Sequence, residues 1–168
     1  MIRFSRVSDL SAIQELIGLC FGDRTTAGVY DNLPGRYLVF ELDGKVVAMT
    51  GLTANTPYPY GVEVDWTCTH PDYQHRGIMT LLFTRLMALT DDVIYCSCWH
   101  LQDDLYPVLH LLMVQFGFEC VCKSHISCNS YRCGIFDTQR CVHYRLNCMC
   151  TEDLYVRHSE LIFSNIDC

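Results

Sequence analysis

Between Val62 and Trp99 the spacing of apolar residues passes from the period of a strand to that of a helix and back again. Val62, Val64, Trp66 and Cys68 alternate with Glu63, Asp65, Thr67 and Thr69, so the polar residues of this strand share one face. His70-Pro71 ends the strand. Ile78, Met79, Leu81, Leu82, Phe83, Leu86 and Leu89 then give a broad apolar face to a helix beginning near Gly77, and Val93 to Trp99 returns to a strand. A strand, a helix and a strand in succession imply a parallel pair, because the helix carries the chain back to the edge from which it started.

Antiparallel neighbours flank that unit. Residues 1–6 read as a short strand, Ser8 offers a helix N-cap, and Leu10, Ile13, Leu16, Ile17 and Cys20 recur at helical spacing. The polar stretch 21–33 predicts a second short helix with loops. Residues 36–42 and 45–53 read as strands joined by the hairpin signal Asp43-Gly44. Leu105, Val108, Leu109, Leu112, Met113 and Phe116 predict a further helix, with Asp104 as its cap, Pro107 in its first turn and Gly117 at its end. Residues 118–124 and 141–150 read as the last two strands around a polar loop, 125–140. The tail 151–168 takes no clear type. No repeat or linker interrupts the chain, so one domain is expected over 1–150, with 151–168 as a C-terminal extension packed on it.

Composition narrows the function classes. The net charge of -7 argues against nonspecific nucleic-acid binding, which needs a basic patch. No run approaches eighteen consecutive apolar residues and the N-terminus does not read as a signal peptide, so neither membrane insertion nor secretion is expected, and the cytoplasm is the default compartment. Twelve cysteines are then expected to be reduced. Three Cys-x-Cys pairs, Cys96/Cys98, Cys120/Cys122 and Cys148/Cys150, fall in strand-like runs rather than in the Cys-x2-Cys turns that zinc favours. They read as buried structural thiols with no metal, and a redox or zinc site built from all three stays open as the alternative.

The most informative stretch is Thr69-His70-Pro71-Asp72-Tyr73-Gln74-His75-Arg76-Gly77-Ile78-Met79-Thr80-Leu81-Leu82. It is a polar turn between a strand and a helix N-terminus, where successive amides and the positive end of the helix can surround a pyrophosphate. An ordinary strand-to-helix connection would also use Gly77, for its backbone freedom alone. The segment resembles the acyl-CoA signature of the GNAT superfamily of N-acetyltransferases. Thr69-x-Pro71 stands for its V-x-P, Gln74 to Met79 for its Q/R-x-x-G-x-G/A, and Gly117-Phe118 for the Gly-Phe before its sixth strand. The resemblance implies a mixed α/β (α+β) fold: a mostly antiparallel sheet of about seven strands with a parallel fourth and fifth pair, flanked by about four helices. It implies acetyl-CoA as co-substrate, with pantetheine on the backbone of Thr67, Cys68 and Thr69. The pyrophosphate falls to Gln74, His75, Arg76, Gly77, Ile78, Met79 and Thr80. Two positions depart from the family pattern. Met79 replaces a small residue, and Met113 replaces a tyrosine that serves as general acid.

The implied reaction is direct transfer of an acetyl group to a primary amine of a small molecule or peptide. At pH 7 an alkylammonium costs about 4.6 kcal/mol to deprotonate, so a carboxylate base is expected. Glu63 and Asp65 are the candidates, Glu63 first, because some GNAT enzymes carry a catalytic glutamate eleven residues before the signature Gln, here Gln74. The leaving thiol costs only about 2 kcal/mol to release as thiolate at pH 7, so an acid would help without being required. Tyr106 and Tyr144 are the candidates for it. Loops 54–61 and 125–140 are expected to line the acceptor pocket, and a homodimer would cover the sheet edges. The competing reading is a catalytically weak CoA-binding or sensor module on the same fold, which Met79 and Met113 favour.

Overall fold

The computed structural model describes residues 1–21, 35–54, 56–58, 60–101, 104–107, 109–125 and 150–157. The elements are β1 (Ile2–Phe4), α1 (Leu10–Phe21), β2 (Tyr37–Leu42), β3 (Lys45–Thr53), β4 (Gly61–Thr69), α2 (Ile78–Met87), β5 (Val93–His100), α3 (His110–Gln115), β6 (Glu119–His125) and β7 (Thr151–Arg157). The seven strands hydrogen-bond in the order β1-β2-β3-β4-β5-β7-β6. β4 and β5 are parallel; β1/β2, β2/β3, β5/β7 and β6/β7 are antiparallel. The mixed sheet and its parallel pair are those expected from the sequence. Three α-helices lie among the described residues rather than about four, and the helix expected over 21–33 falls outside them beyond Phe21.

Two compact units divide these elements, Met1–Ala54 with Val64–Asp91, and Asn55–Glu63 with the chain from Asp92 onward. In the first, Ile13, Leu16 and Ile17 of α1 pack on Tyr37 and Val39 of β2, Met49 of β3 and Cys68 of β4. α2 covers β2 and β3 and buries Ile78, Leu82, Phe83 and Leu86. Leu81 and Leu89, counted in the apolar face by spacing alone, are exposed. Ser8 does not cap α1. A 3-10 turn over Val7–Asp9 leads into the helix, and the Asp9 carboxylate accepts the Arg6 N–H at 2.7 Å. Arg3 holds that carboxylate with two hydrogen bonds, 2.7 and 2.9 Å, and donates a third to Glu41 at 2.7 Å.

In the second unit, the parallel ladder has the rungs Gly61↔Val93, Val62↔Ile94 and Glu63↔Tyr95. Gly61 is required by proximity: a Cβ there would stand 2.3 Å from the Val93 carbonyl oxygen. α3 begins at His110, not near Leu105. Tyr106 precedes Pro107, and the residue before a proline is forced out of the helical region, so the chain turns before it coils. The Pro107 carbonyl accepts the His110 N–H at 2.9 Å, and Leu105 is left exposed. The expected end is present. Gly117 has φ +76°, its N–H donates to Val114 and that of Phe118 to Met113, the paired bonds of a Schellman motif. The seventh strand is Thr151–Arg157, inserted between β5 and β6, in the tail to which the sequence assigns no type. Of the strand expected over 141–150 only Cys150 is described, and it lies outside any strand.

Candidate active site

The strand-to-helix turn is built from short-range hydrogen bonds. Its backbone passes through left-handed conformations at His75, φ +58°, and at Gly77, φ +75°. Left-handed residues within a turn form amide concavities that favour anions. A Cβ on Gly77 would meet nothing within 4 Å, so it is φ, not space, that calls for glycine. Gly77 is the N-cap of α2, and its carbonyl accepts the Leu81 N–H at 3.1 Å. Gln74 Nε2 donates to the Thr69 carbonyl at 3.1 Å, and Arg76 Nη2 to the Asp72 carbonyl at 2.7 Å. The Arg76 guanidinium also lies over the Tyr73 ring, 5.2 Å from its centroid. Both side chains therefore brace the turn. His70 Nδ1 accepts the Asp72 N–H at 3.2 Å. His75 and Gly77 are exposed, Ile78 is buried, and Met79 and Thr80 are half-buried.

β4 does not keep the expected alternation. Trp66 has φ +43°, a left-handed residue inside a strand, and its ring packs edge-on against Phe21 with centroids 5.6 Å apart. Asp65 consequently turns toward the α1 side, where Arg36 ion-pairs with it and the Tyr37 hydroxyl donates to it at 3.2 Å. Thr67 turns the other way and its hydroxyl meets that of Thr50 at 2.8 Å. Burial pushes the Asp65 carboxyl up, against the opposing pull of Arg36 and Tyr37. Cys68 is buried in the core, its thiol pushed up first by its hydrogen bond with Cys20 and then by burial. Cys20 Sγ donates to the Thr69 carbonyl at 3.4 Å.

Glu63 belongs to the second unit, where Ser97 Oγ donates to its carboxylate at 3.1 Å. The Tyr58 ring stacks on that of Tyr95 with centroids 4.8 Å apart. Sequence reasoning named neither Ser97 nor Tyr58, although Tyr58 falls in the Pro- and Tyr-rich loop expected to line the acceptor. Tyr106 precedes α3, exposed, its ring stacked on His110 at 4.4 Å. His110 Nδ1 in turn meets the Tyr155 hydroxyl at 2.7 Å. Tyr144 lies outside the described residues.

The Acetyltransferase (GNAT) family model matches residues 10–118. The chain belongs to the GNAT acetyltransferase family. No curated protein sequence matches it. Among solved structures it is similar to yncA of Salmonella typhimurium, a putative acetyltransferase with its cofactor acetyl-CoA: 17% identity over 100% of this chain and 98% of that one, TM-score 0.68. It is similar also to the ribosomal-protein-S18-alanine N-acetyltransferase of Escherichia coli, at 14% identity over 97% and 99%, TM-score 0.67. Rv2747 of Mycobacterium tuberculosis, in complex with CoA, matches at 17% identity over 92% and 97%, TM-score 0.59. At these identities the likeness is one of fold.

In this GNAT chain Met113 is fully buried on the inner face of α3, so the position belongs to the core. The thiols divide by strand. Cys96, Cys98 and Cys150 are buried, with Cys96 and Cys98 Sγ atoms 3.7 Å apart, whereas Cys122 is half-buried and Cys120 exposed. Among the described residues no three His, Cys, Asp or Glu side chains converge as a metal site would require.

Proposed function

We propose that the protein is an N-acetyltransferase that moves an acetyl group from acetyl-CoA to a primary amine by direct attack. The observation that carries this reading is the turn from Gln74 to Met79 in a GNAT chain: left-handed backbone at His75 and Gly77, feeding the N-terminus of α2. The amides there, with the Thr80 hydroxyl, Arg76 and His75 nearby, would take the pyrophosphate. The backbone of Thr67, Cys68 and Thr69 would take pantetheine. Bound acetyl-CoA supplies an activated acyl group, and the protein's own task is to orient the amine and remove its proton.

Glu63 is the base in this reading. Ser97 orients its carboxylate by donating a hydrogen bond, and Tyr58 stacks on the neighbouring Tyr95. Asp65 fits the role less well, since Arg36 and Tyr37 already engage it. Tyr106 is exposed and stacked on His110, with no contact among the described residues that marks it as the acid, and the leaving thiol can depart without one. The second reading, a CoA-binding module without transfer, draws on the burial of Met113.

Calorimetric titration with acetyl-CoA tests the site. Micromolar binding is expected for the wild type, and a loss of at least tenfold for Gly77→Asp, whose carboxylate would face the pyrophosphate. Aspartate tolerates a left-handed backbone better than most residues, so the variant should fold. No binding by the wild type would withdraw the enzyme reading.

A further inference from the structure

One face of the second unit gathers side chains that the transfer reaction does not by itself require. Along β5 the side chains alternate, so Tyr95, Ser97 and Trp99 share a face. Ser97 pairs with Leu154 and Trp99 with Glu152 of β7, and directly opposed residues share a face, so Glu152 lies on it too. Ser124 of β6 flanks Glu152 on the far side. At the near end Glu63 accepts the Ser97 hydroxyl at 3.1 Å. Tyr58 joins this set with its ring stacked on Tyr95. Burial raises the Tyr58 hydroxyl above its usual range, and the Glu63 and Glu152 charges raise it further against the opposing pull of Ser97. Lys123 and Arg157 register with Asp153 and Ile94, on the opposite face.

Rings and carboxylates interleaved on one face are the chemistry that recognises a cation. The quadrupole of each ring attracts it, and a half-buried carboxylate pairs with it in a less polar surrounding than water. Two carboxylates give this face two places for positive charge. Glu63 reaches the level of Ser97, and Glu152 stands at the level of Trp99, two residues further along β5. Two residues of strand, about 7 Å, and one strand spacing, about 5 Å, put Glu152 roughly 9 Å diagonally from Ser97, a gap that a short diaminoalkane held between the two carboxylates can bridge.

We infer that Glu152, with the rings of Tyr58 and Trp99, forms a specificity subsite for a second positive charge on the acceptor, so that the substrate is a diamine or an amine with a second cationic group. The inference rests on the reading of Glu63 as the base that receives the reacting amine. Glu152 determines specificity here and takes no part in the transfer: one nitrogen loses its proton at Glu63 and attacks the thioester, while the other keeps its proton against Glu152.

Diaminopentane and pentylamine, the same carbon chain with two charges and with one, separate the two claims. Binding by calorimetry and acetyl transfer from acetyl-CoA are measured on the full chain for the wild type, Glu152→Gln and Glu152→Lys, with melting curves to establish folding. The wild type should prefer diaminopentane by about tenfold or more in kcat/KM, and Glu152→Gln should bring the ratio close to one. Glu152→Lys should favour aminohexanoate, whose second group is a carboxylate. Transfer to both amines without preference, or a preference that survives both substitutions in folded protein, overturns the subsite and leaves the transferase reading standing. Preferential binding of diaminopentane, lost in Glu152→Gln but without any transfer, keeps the subsite and sinks the transferase reading. Binding and transfer of neither amine sinks both.

Discussion

Glu63 and Asp65 stand two residues apart on one strand, and the sequence ranks Glu63 first only by its spacing from Gln74. Their partners separate them. Asp65 pairs with Arg36 and takes the Tyr37 hydroxyl, so its carboxylate is structural. Asp65→Asn should therefore destabilise the chain by about 2 kcal/mol, the usual worth of hydrogen bonds to a charged group, as a shifted urea midpoint at pH 7. Glu63→Gln should act on the reaction instead, lowering kcat by about 10²- to 10⁴-fold while the acetyl-CoA affinity stays put. An unchanged kcat would remove Glu63 as the base. The sequence locates both residues because alternation and motif spacing are local properties. It does not foresee that the left-handed Trp66 sends Asp65 and Thr67 to opposite sides, since nothing in the composition of a strand announces such a kink. Nor does it foresee that Gln74 and Arg76 hold the turn through the carbonyls of Thr69 and Asp72, because a signature names residue types and not their partners.

Among the elements, the hairpin of β2 and β3 and the strands β4 and β5 are legible to within a residue, each bounded by a turn signal or by a clear change of period. α3 is not. Its six residues come from a pattern that extends over twelve, because periodicity registers Leu105 as apolar while Pro107 decides where coiling can begin. β7 escapes for another reason: Thr151-Glu152-Asp153 places polar residues at its start, and Asp153 is fully buried between His100 and Lys123. A buried carboxylate of this kind depends on partners from two other strands, and no local pattern encodes it. Gly61 offers the sharpest test at this scale. Gly61→Ala would drive a methyl group against the Val93 carbonyl and the Tyr95 ring, pushing β4 off β5 where their ladder begins. A loss of about 1–3 kcal/mol is expected, the usual range for overpacking, together with faster hydrogen exchange at the amides of Val93 to Tyr95. Unchanged exchange there would mean that the ladder does not depend on this contact.

For the molecule as a whole, the order of seven strands follows from a few constraints that the sequence does carry: one hairpin, one strand-helix-strand crossover, and a family signature at the crossover. What sets its tolerance of acid is less visible, because it depends on which carboxylates acquire partners. Asp9 is the clearest. Its carboxylate is nearly buried, and the Arg3 guanidinium, with the Arg6 N–H behind it, holds its pKa below the ordinary range. A carboxyl depressed in the folded state stabilises the fold at every pH above its unfolded pKa, near 3.9, and loses that contribution as pH falls through its folded value. Stability should thus be flat in this respect near neutrality and fall in acid. Asp9→Asn supplies the control. At pH 7 it should cost about 2 kcal/mol, because the half-buried Arg3 keeps Glu41 as its remaining charged partner. Toward pH 2 the wild-type carboxyl is itself protonated, and the two urea curves should converge. Curves that stay the same distance apart from pH 7 to pH 2 would show that Asp9 contributes shape and not charge, and the acid sensitivity would then belong to other carboxylates.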